Sequence, residues 1–322
     1  MNIEHYSRRL ENNNSNHGKI NLKAISLLFI FIATLTFLTV TKLSAAKLPK
    51  IQLGYQKPLP ELSPVPSKKP ETSNKELVKR IEKEIAAGSG TYTVFVYDIN
   101  NHQEYGINEN TVLTAASTIK VPILAVLYYL AGKDEIDLEK IIVPQKGDIQ
   151  DWGSGTIRYD PLGTPYSIKT LARLMMEKSD NTAAYILGNQ IIGNDKIQKI
   201  IDDWGLTQTN MVNNKTSARD MSLLLIKMYK GEITNKALTA EMLGFMDTSD
   251  YDDRIPMGLP ENVKFYHKTG NEIGKVHDAA IVDIPKHPYY LGIFTIDITD
   301  EEAAKKIMIA ISKTVYDYMS RL

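Results

Sequence analysis

The sequence predicts an α/β (α+β) fold in which one antiparallel sheet is built from N- and C-terminal segments, helices flank it, and an all-helical lobe is inserted between the two halves. Three observations carry this. A run rich in β-branched and aromatic residues, Thr91 to Asp98 (TYTVFVYD), lies near the start of the folded part. Three more strand-like runs, Val263–Lys268, Val276–Ile284 and Tyr289–Ile298, lie near its end. Between them, from about 165 to 247, come short helical patterns separated by Gly, Asn, Ser and Thr clusters.

The N-terminal part reads differently. Residues 24 to 40 (AISLLFIFIATLTFLTV) are uncharged and strongly apolar, and Arg8, Arg9, Lys19 and Lys23 precede them. Length and charge asymmetry predict a cytoplasmic tail (1–23), a signal-anchor spanning the membrane (24–41) and an extracytoplasmic remainder. The competing reading is a cleaved signal, with Ser44-Ala45-Ala46 at the cleavage position, which makes the protein secreted. Six of the fourteen prolines fall between Lys47 and Thr72, so 42–72 is a semi-rigid linker and the folded domain occupies 73–322.

Within that domain, Ser73 and Glu76 have the spacing of a capping box, and Val78, Ile81 and Ile85 share one face of a helix that stops at Gly88-Ser-Gly90. After the strand 91–98, Asn100-Asn101 is a turn and His102 to Tyr105 the returning strand. From Ala116 to about Leu130 the pattern is apolar on all sides, which predicts a buried helix, with Pro122 in its first turns. Helices follow over 167–178, 182–190, 195–204, 218–230 and 235–246. Pro285-Lys-His-Pro288 joins the last two strands, and Thr299 with Glu302 opens a final helix to about Met319. A ligand site is expected in the cleft between sheet and helical lobe.

Composition narrows the function. With 43% hydrophobic and 24% charged residues the 322-residue chain can bury a core, and its formal net charge of zero gives no electrostatic basis for nucleic-acid binding. There is no cysteine, and the six histidines show no H-E-x-x-H spacing, so neither a thiolate site nor a zinc enzyme is expected, and no cofactor. No G-x-S-x-G elbow exists, and His267 and His277 read as strand residues rather than as partners of a serine nucleophile.

Three short motifs occur in order: Ser117-Thr-Ile-Lys120, Ser179-Asp180-Asn181 and Lys268-Thr269-Gly270. S-x-x-K alone carries little weight, since it recurs at Ser44-Ala-Ala-Lys47. At the start of a buried helix, however, Ser117 and Lys120 share a face, and an apolar setting lowers the lysine pKa enough to supply a neutral amine. Ser179-Asp180-Asn181 sits between two helices, where all three residue types are also good caps. Lys268-Thr269-Gly270 is expected to end a strand, its glycine permitting close backbone approach and its lysine pointing into the cleft.

The set resembles the class A serine β-lactamases and the penicillin-binding proteins, over roughly residues 73 to 320. Thr182-Ala183-Ala184, Trp204-Gly205-Leu206-Thr207 and Ala218-Arg219-Asp220-Met221 share in the resemblance. It implies a three-layer β-lactamase/transpeptidase-like fold and a serine hydrolase acting on a β-lactam or a D-alanyl peptide of peptidoglycan. By the resemblance Ser117 is the nucleophile, Lys120 takes its proton, and Ser179 relays a proton to the leaving nitrogen. Asn181 then binds the substrate amide, Lys268 and Thr269 hold its carboxylate, and the N–H groups of Ser117 and Asn271 form the oxyanion hole beside Gly270. Trp152, in the segment Asp148 to Thr156, has two open assignments: the mouth of the cleft, or the core.

One departure stands out. Class A enzymes carry a glutamate on a long loop that activates water for deacylation. The corresponding stretch here, Asn213 to Ala218, is short and has no carboxylate, which predicts an acyl-enzyme that turns over slowly. Asp148, Asp151 and Asp160 are the carboxylates open as replacements. A D-Ala-D-Ala carboxypeptidase or transpeptidase, and a non-catalytic module binding cell-wall peptide or β-lactam, are the alternative functions.

Overall fold

The computed structural model describes residues 71–322, with side chains from Lys75 onward. The predicted tail (1–23), anchor (24–41) and nearly all of the linker (42–72) lie outside the described residues. No described helix is long and apolar enough to cross a membrane. The described residues fall within one compact unit, 67–322.

Helix α1 (Glu71–Ile85) begins two residues before the predicted start, so Glu71 and Thr72 belong to it and Ser73 lies inside its first turn. Its inward face carries the fully buried Leu77 and Ile81. Strand β1 (Thr91–Asp98) coincides with the predicted strand. Its partner β2 (Glu104–Ile107) starts two residues later than expected, because the turn is longer. The Asp98 carboxylate accepts the N–H groups of Asn100 and Asn101, both at 3.0 Å, and His102 takes φ +57°. The chain therefore returns only at Gln103, whose carbonyl accepts the Asp98 N–H at 2.9 Å.

A 3₁₀ turn (Ala116–Ile119) leads into α2 (Lys120–Ala131), which is buried along nearly all its length, as an all-apolar helix must be. The helical lobe adds α3 (Ile168–Glu177), α4 (Asn181–Tyr185) with a π-helical continuation (Ile186–Ile192), α5 (Asn194–Asp203), α6 (Ala218–Tyr229) and α7 (Lys236–Gly244). Two short ladders, 113–114 with 215–216 and 141–142 with 166–167, were not legible as strands because each is only two residues long.

Strands β3 (Lys264–Glu272), β4 (Lys275–Asp283) and β5 (Tyr289–Ile296) complete a five-stranded antiparallel sheet in the order β2-β1-β5-β4-β3. Contrary to expectation, Lys268-Thr269-Gly270 lies within β3 and not at its end. The tight Ile273-Gly274 turn, with Gly274 at φ +72°, keeps β3 and β4 paired out to Glu272↔Lys275. Helix α8 (Glu301–Met319) is capped by Asp300, whose carboxylate accepts the Ala303 N–H at 3.0 Å, in place of Thr299. A carboxylate suits the positive end of a helix better than a hydroxyl, and the Thr299 hydroxyl is bonded instead to Ser89 at 2.9 Å.

Both faces of the sheet are covered, which makes three layers. On one face Tyr92, Val94, Leu291 and Ile293 pack against α1 and α8; on the other Phe95, Ile281, Tyr290 and Phe294 pack against α2, α6 and the rest of the lobe. This double coverage explains why the strands read as nearly continuous apolar runs rather than alternating ones. A 3₁₀ turn (Pro256–Gly258) presses on α8 so closely that a Cβ at Gly258 would lie 2.6 Å from the Ile309 carbonyl oxygen. We predict that Gly258→Ala destabilises the fold by about 1–3 kcal/mol through this overpacking, read as a lower urea midpoint; an unchanged midpoint contradicts the close approach.

Candidate active site

The site forms where the 3₁₀ turn before α2, the α3–α4 loop and β3 converge. Ser117 is half-buried in the turn, directly after Ala116, which is held at φ +48°. One turn on, Lys120 is buried beneath it and its Nζ donates to Ser117 Oγ at 3.0 Å. The same Nζ reaches the Ser179 carbonyl at 2.6 Å, Ser179 Oγ at 3.1 Å and Asn181 Oδ1 at 2.7 Å. All four acceptors are neutral oxygens. Burial, reinforced by the charge of Lys268, pushes the Lys120 pKa well below the usual lysine range, against a smaller pull from Asp180.

Ser179 owes its place to the break between α3 and α4, where it takes φ +51°. Asp180 caps α4, accepting the Ala183 N–H at 2.9 Å through Oδ1, and with Oδ2 accepts the N–H groups of Thr156 (2.6 Å) and Ile157 (2.9 Å). The capping role that its sequence position allows is thus real, and the carboxylate also staples the loop 150–157 onto the motif. That loop grips Asn181 twice more: Asn181 Nδ2 donates to the Trp152 carbonyl at 3.0 Å and its N–H to the Ser154 carbonyl at 3.1 Å. Gly155, at φ +126°, is required here, since a Cβ would sit 2.5 Å from the Asp180 carboxyl carbon. The Trp152 side chain is 64% exposed, so the core assignment is wrong; its indole donates to Gln150 Oε1 at 3.1 Å.

Lys268 projects from β3 into the same point, 3.1 Å from Ser179 Oγ, and its Nζ also reaches the Thr269 carbonyl at 3.3 Å. Burial lowers its pKa to about 7, with Asp278 pulling upward and Arg254 pushing further down. Ser179 Oγ therefore lies between two lysine amines, each 3.1 Å away. Gly270 lets β3 come this close, because a Cβ there would stand 3.0 Å from the Ala115 carbonyl oxygen and 3.1 Å from the Ser117 nitrogen. The His267 N–H donates outward from the sheet to the Met246 carbonyl at 2.9 Å. By the two-residue period of a regular strand, the N–H groups of Thr269 and Asn271 face that same open edge, beside the Ser117 N–H.

The structure thus gathers Ser117, Lys120, Ser179, Asn181, Lys268 and Gly270, with Thr269 and Asn271 on the adjoining strand. It gathers none of the three aspartates open as replacement bases. Asp148 accepts the Gln145 N–H at 2.7 Å and the Gln190 amide at 2.5 Å, and Asp160 accepts the Tyr166 hydroxyl. Asp151 lines, with Lys146 and Arg158, a cavity of about 490 Å³ whose walls include none of the gathered residues. In the shortened stretch, Asn210 and Lys215 exchange both backbone hydrogen bonds, at 2.8 and 3.0 Å, so the chain reverses at once. Among the described residues no carboxylate is hydrogen-bonded to Ser117 or Lys120.

Neither histidine joins the serine. His277 Nε2 donates to the Thr114 carbonyl at 2.9 Å, its Nδ1 accepts the Thr295 N–H at 3.2 Å, and burial holds its pKa near 4. His267, a residue of β3, has a buried side chain with Nδ1 at 2.9 Å from Asp278 and Nε2 at 3.0 Å from Asp252. Sequence reading missed what surrounds it. Asp278 also accepts the Ile255 N–H, and the buried Arg254 donates to the His277 carbonyl at 2.8 Å and to Asn271 Oδ1 at 2.5 Å. No spacing signal marks Asp278 or Arg254, which come together only because the segment around Arg254 and Ile255 folds onto β4.

Comparison with known proteins bears on the family and the fold. A family model described as the beta-lactamase enzyme family matches residues 76–319. Beta-lactamase VEB-1 of Pseudomonas aeruginosa is 22% identical over 270 residues, spanning 75% of this chain and 90% of that protein. Beta-lactamase BRO-1 of Moraxella catarrhalis is 24% identical over 224 residues, 63% of this chain and 72% of that one. Among solved structures, PBP-A superposes with a TM-score of 0.70 at 25% identity, covering 77% of this chain and 97% of its own. A mutant of PBP-A in an acyl-enzyme complex with penicillin-G gives a TM-score of 0.69 at the same identity and coverage.

The network beneath β3 makes a pH prediction. Burial alone lowers the His267 pKa, but Asp278 and Asp252 overcome it and raise it to about 9. A raised folded-state pKa contributes stability that is complete below the ordinary histidine value of about 6.5 and is lost as pH climbs through 9. The stability difference between wild type and His267→Gln is therefore expected to narrow by on the order of 2–3 kcal/mol between pH 6.5 and 9.5. Urea unfolding at a series of pH values checks it, and a constant gap means that His267 is not charged in the fold.

Proposed function

Because the chain belongs to the beta-lactamase enzyme family and is a serine hydrolase of that type, we propose that it works outside the cytoplasm, forming an acyl-enzyme on Ser117 with β-lactams or D-alanyl peptides and releasing it slowly. The observation that carries the reading is the Lys120 amine, buried, 3.0 Å from Ser117 Oγ and bonded only to neutral acceptors, with its charged form disfavoured. A free amine in hydrogen-bond reach of a hydroxyl is what general-base activation requires.

In the proposed reaction Ser117 Oγ attacks the amide carbon while its proton passes to Lys120 Nζ. The carbonyl oxygen gains the negative charge, and the Ser117 and Asn271 N–H groups stabilise it, an effect worth a few kcal/mol per donor. The C–N bond then breaks, and the leaving nitrogen takes the Ser179 proton. Ser179 is made whole by Lys120 or Lys268, both at 3.1 Å. The acylated state holds an ester at Ser117, and its hydrolysis needs a water and a base. The tight 210–215 turn and the absence of any described carboxylate on Ser117 or Lys120 support slow release. Acylation of a PBP-A mutant by penicillin-G supports β-lactams as ligands. The Arg/Lys-flanked apolar run at 24–40 supports the extracytoplasmic placement.

Intact-mass spectrometry after exposure to benzylpenicillin tests this reading. Wild type is expected to gain one adduct that persists once free drug is removed. Ser117→Ala should gain none, and Lys120→Ala should label at least about 100-fold more slowly, as for loss of a general base. Reversible binding without an adduct on wild type sinks the acyl-enzyme. Normal labelling of Lys120→Ala removes that lysine from its role, and an adduct that vanishes within seconds overturns slow release.

A further inference from the structure

We infer that Tyr251 is a substrate-contacting, specificity-determining residue, its ring forming the wall of the site beside Lys268 against which the carboxylate-bearing part of a fused-ring β-lactam packs. The inference rests on the function proposed above.

The segment 250–254 runs as a strap from the end of α3 to the back of β3, and every other side chain in it is spent on holding it. Asp250 Oδ1 pairs with Lys178 Nζ at 2.6 Å, and the Asp250 N–H donates to the Glu177 carbonyl at 3.2 Å, one residue and two residues before Ser179. Asp252 is tied to His267 at 3.0 Å. Asp253 pairs with Lys305 at 3.0 Å on α8, and Arg254 is buried against Asn271 and the His277 carbonyl. Tyr251 alone is different. Its ring centroid lies 6.0 Å from Lys268 Nζ, its side chain is only half-buried, and its hydroxyl makes no hydrogen bond to any described residue.

A side chain fixed at both flanks and left with an open face is preorganised, so a ligand that covers it spends little conformational entropy on ordering. Lys268 Nζ is 3.1 Å from Ser179 Oγ, so the Tyr251 ring and the relay serine share one lysine amine as neighbour. The exposed Trp152 stands on the loop whose backbone carbonyl holds Asn181, so a second element of the site also carries an aromatic side chain. A flat aromatic face suits a ring fused to the reacting amide. A monocyclic β-lactam offers nothing to it.

The bland alternative is that Tyr251 only shields Lys268 from water. The two differ in substrate dependence. Second-order acylation rates are measured by intact mass for wild type, Tyr251→Phe and Tyr251→Ala, using benzylpenicillin and a monocyclic β-lactam with the same acyl side chain. We expect Tyr251→Ala to lose about tenfold with benzylpenicillin and less than about twofold with the monocyclic compound, with Tyr251→Phe close to wild type on both. Equal losses on both compounds, or no loss on either, overturn the proposal. Should Tyr251→Ala fail to fold, Tyr251→Leu keeps bulk over Lys268 without the flat face and carries the same comparison. Wild type that is never acylated by either compound overturns the parent reading and this proposal with it, whereas acylation of wild type with equal losses in the variant overturns this proposal alone.

Discussion

Two amines buried around one hydroxyl cannot both carry charge cheaply, and the rest of this site follows from that. Lys120 and Lys268 each donate to Ser179 Oγ at 3.1 Å, and both are almost wholly removed from water. Taking one ammonium out of water costs several kcal/mol, and a second at this range adds direct repulsion. The fold lowers the cost by offering neutral oxygens to Lys120 and by holding Asp278 behind Lys268. It does not abolish it, and so the charged form of Lys120 is disfavoured, while burial, with Arg254 adding to it, lowers the Lys268 pKa to about 7.

Such a site survives only if its surroundings are rigid and stable enough to enforce it. The fully buried Val121, Leu124 and Leu127 on α2, at about 1.5–3 kcal/mol each, anchor the helix that presents Lys120. On the other wall, β3 is fixed from behind by the charged layer of His267, Asp278 and Arg254, which leaves its edge free for chemistry. Glycine permits two close approaches around the site. Gly270 brings β3 against the Ser117 turn, and Gly155 brings the 150–157 loop onto Asp180. In both places a methyl group would push apart elements whose separation decides whether the amines and hydroxyls touch.

Much of this was legible in the residues because it rests on local signals. The i, i+3 spacing of Ser117 and Lys120 on an all-apolar helix and the caps around Asp180 act over a few residues and appear where their patterns place them; Gly270 permits the expected close approach, though from within β3 and not at its end. What escaped depends on register or on competition between neighbours. The displaced start of β2 follows from Asp98 gathering two N–H groups, and the α8 cap from Asp300 outbidding Thr299. Both are decisions between adjacent candidates of similar propensity. Arg254 and Asp278, 24 residues apart in sequence, share a layer only because β4 pairs with β3 in one register and the 252–258 segment folds over it. No linear pattern encodes that meeting.

The asymmetry between the two lysines also bears on the order of events. Lys120 touches both Ser117 and Ser179, whereas Lys268 touches Ser179 but not Ser117. In the proposed reaction, once Lys120 has accepted the Ser117 proton it is a buried charge beside Lys268, and the burial that had disfavoured its charged form, reinforced by Lys268, now favours passing a proton on. Ser179 is the exit both share, and the leaving nitrogen lies beyond it. The strain of paired amines is thus relieved in the direction of acylation. For the proposed slow release, the relevant feature is that among the described residues no carboxylate is hydrogen-bonded to Ser117 or Lys120 to serve as a separate base for water. In the proposed reaction, the arrangement that favours the first half-reaction therefore supplies no described carboxylate for the second.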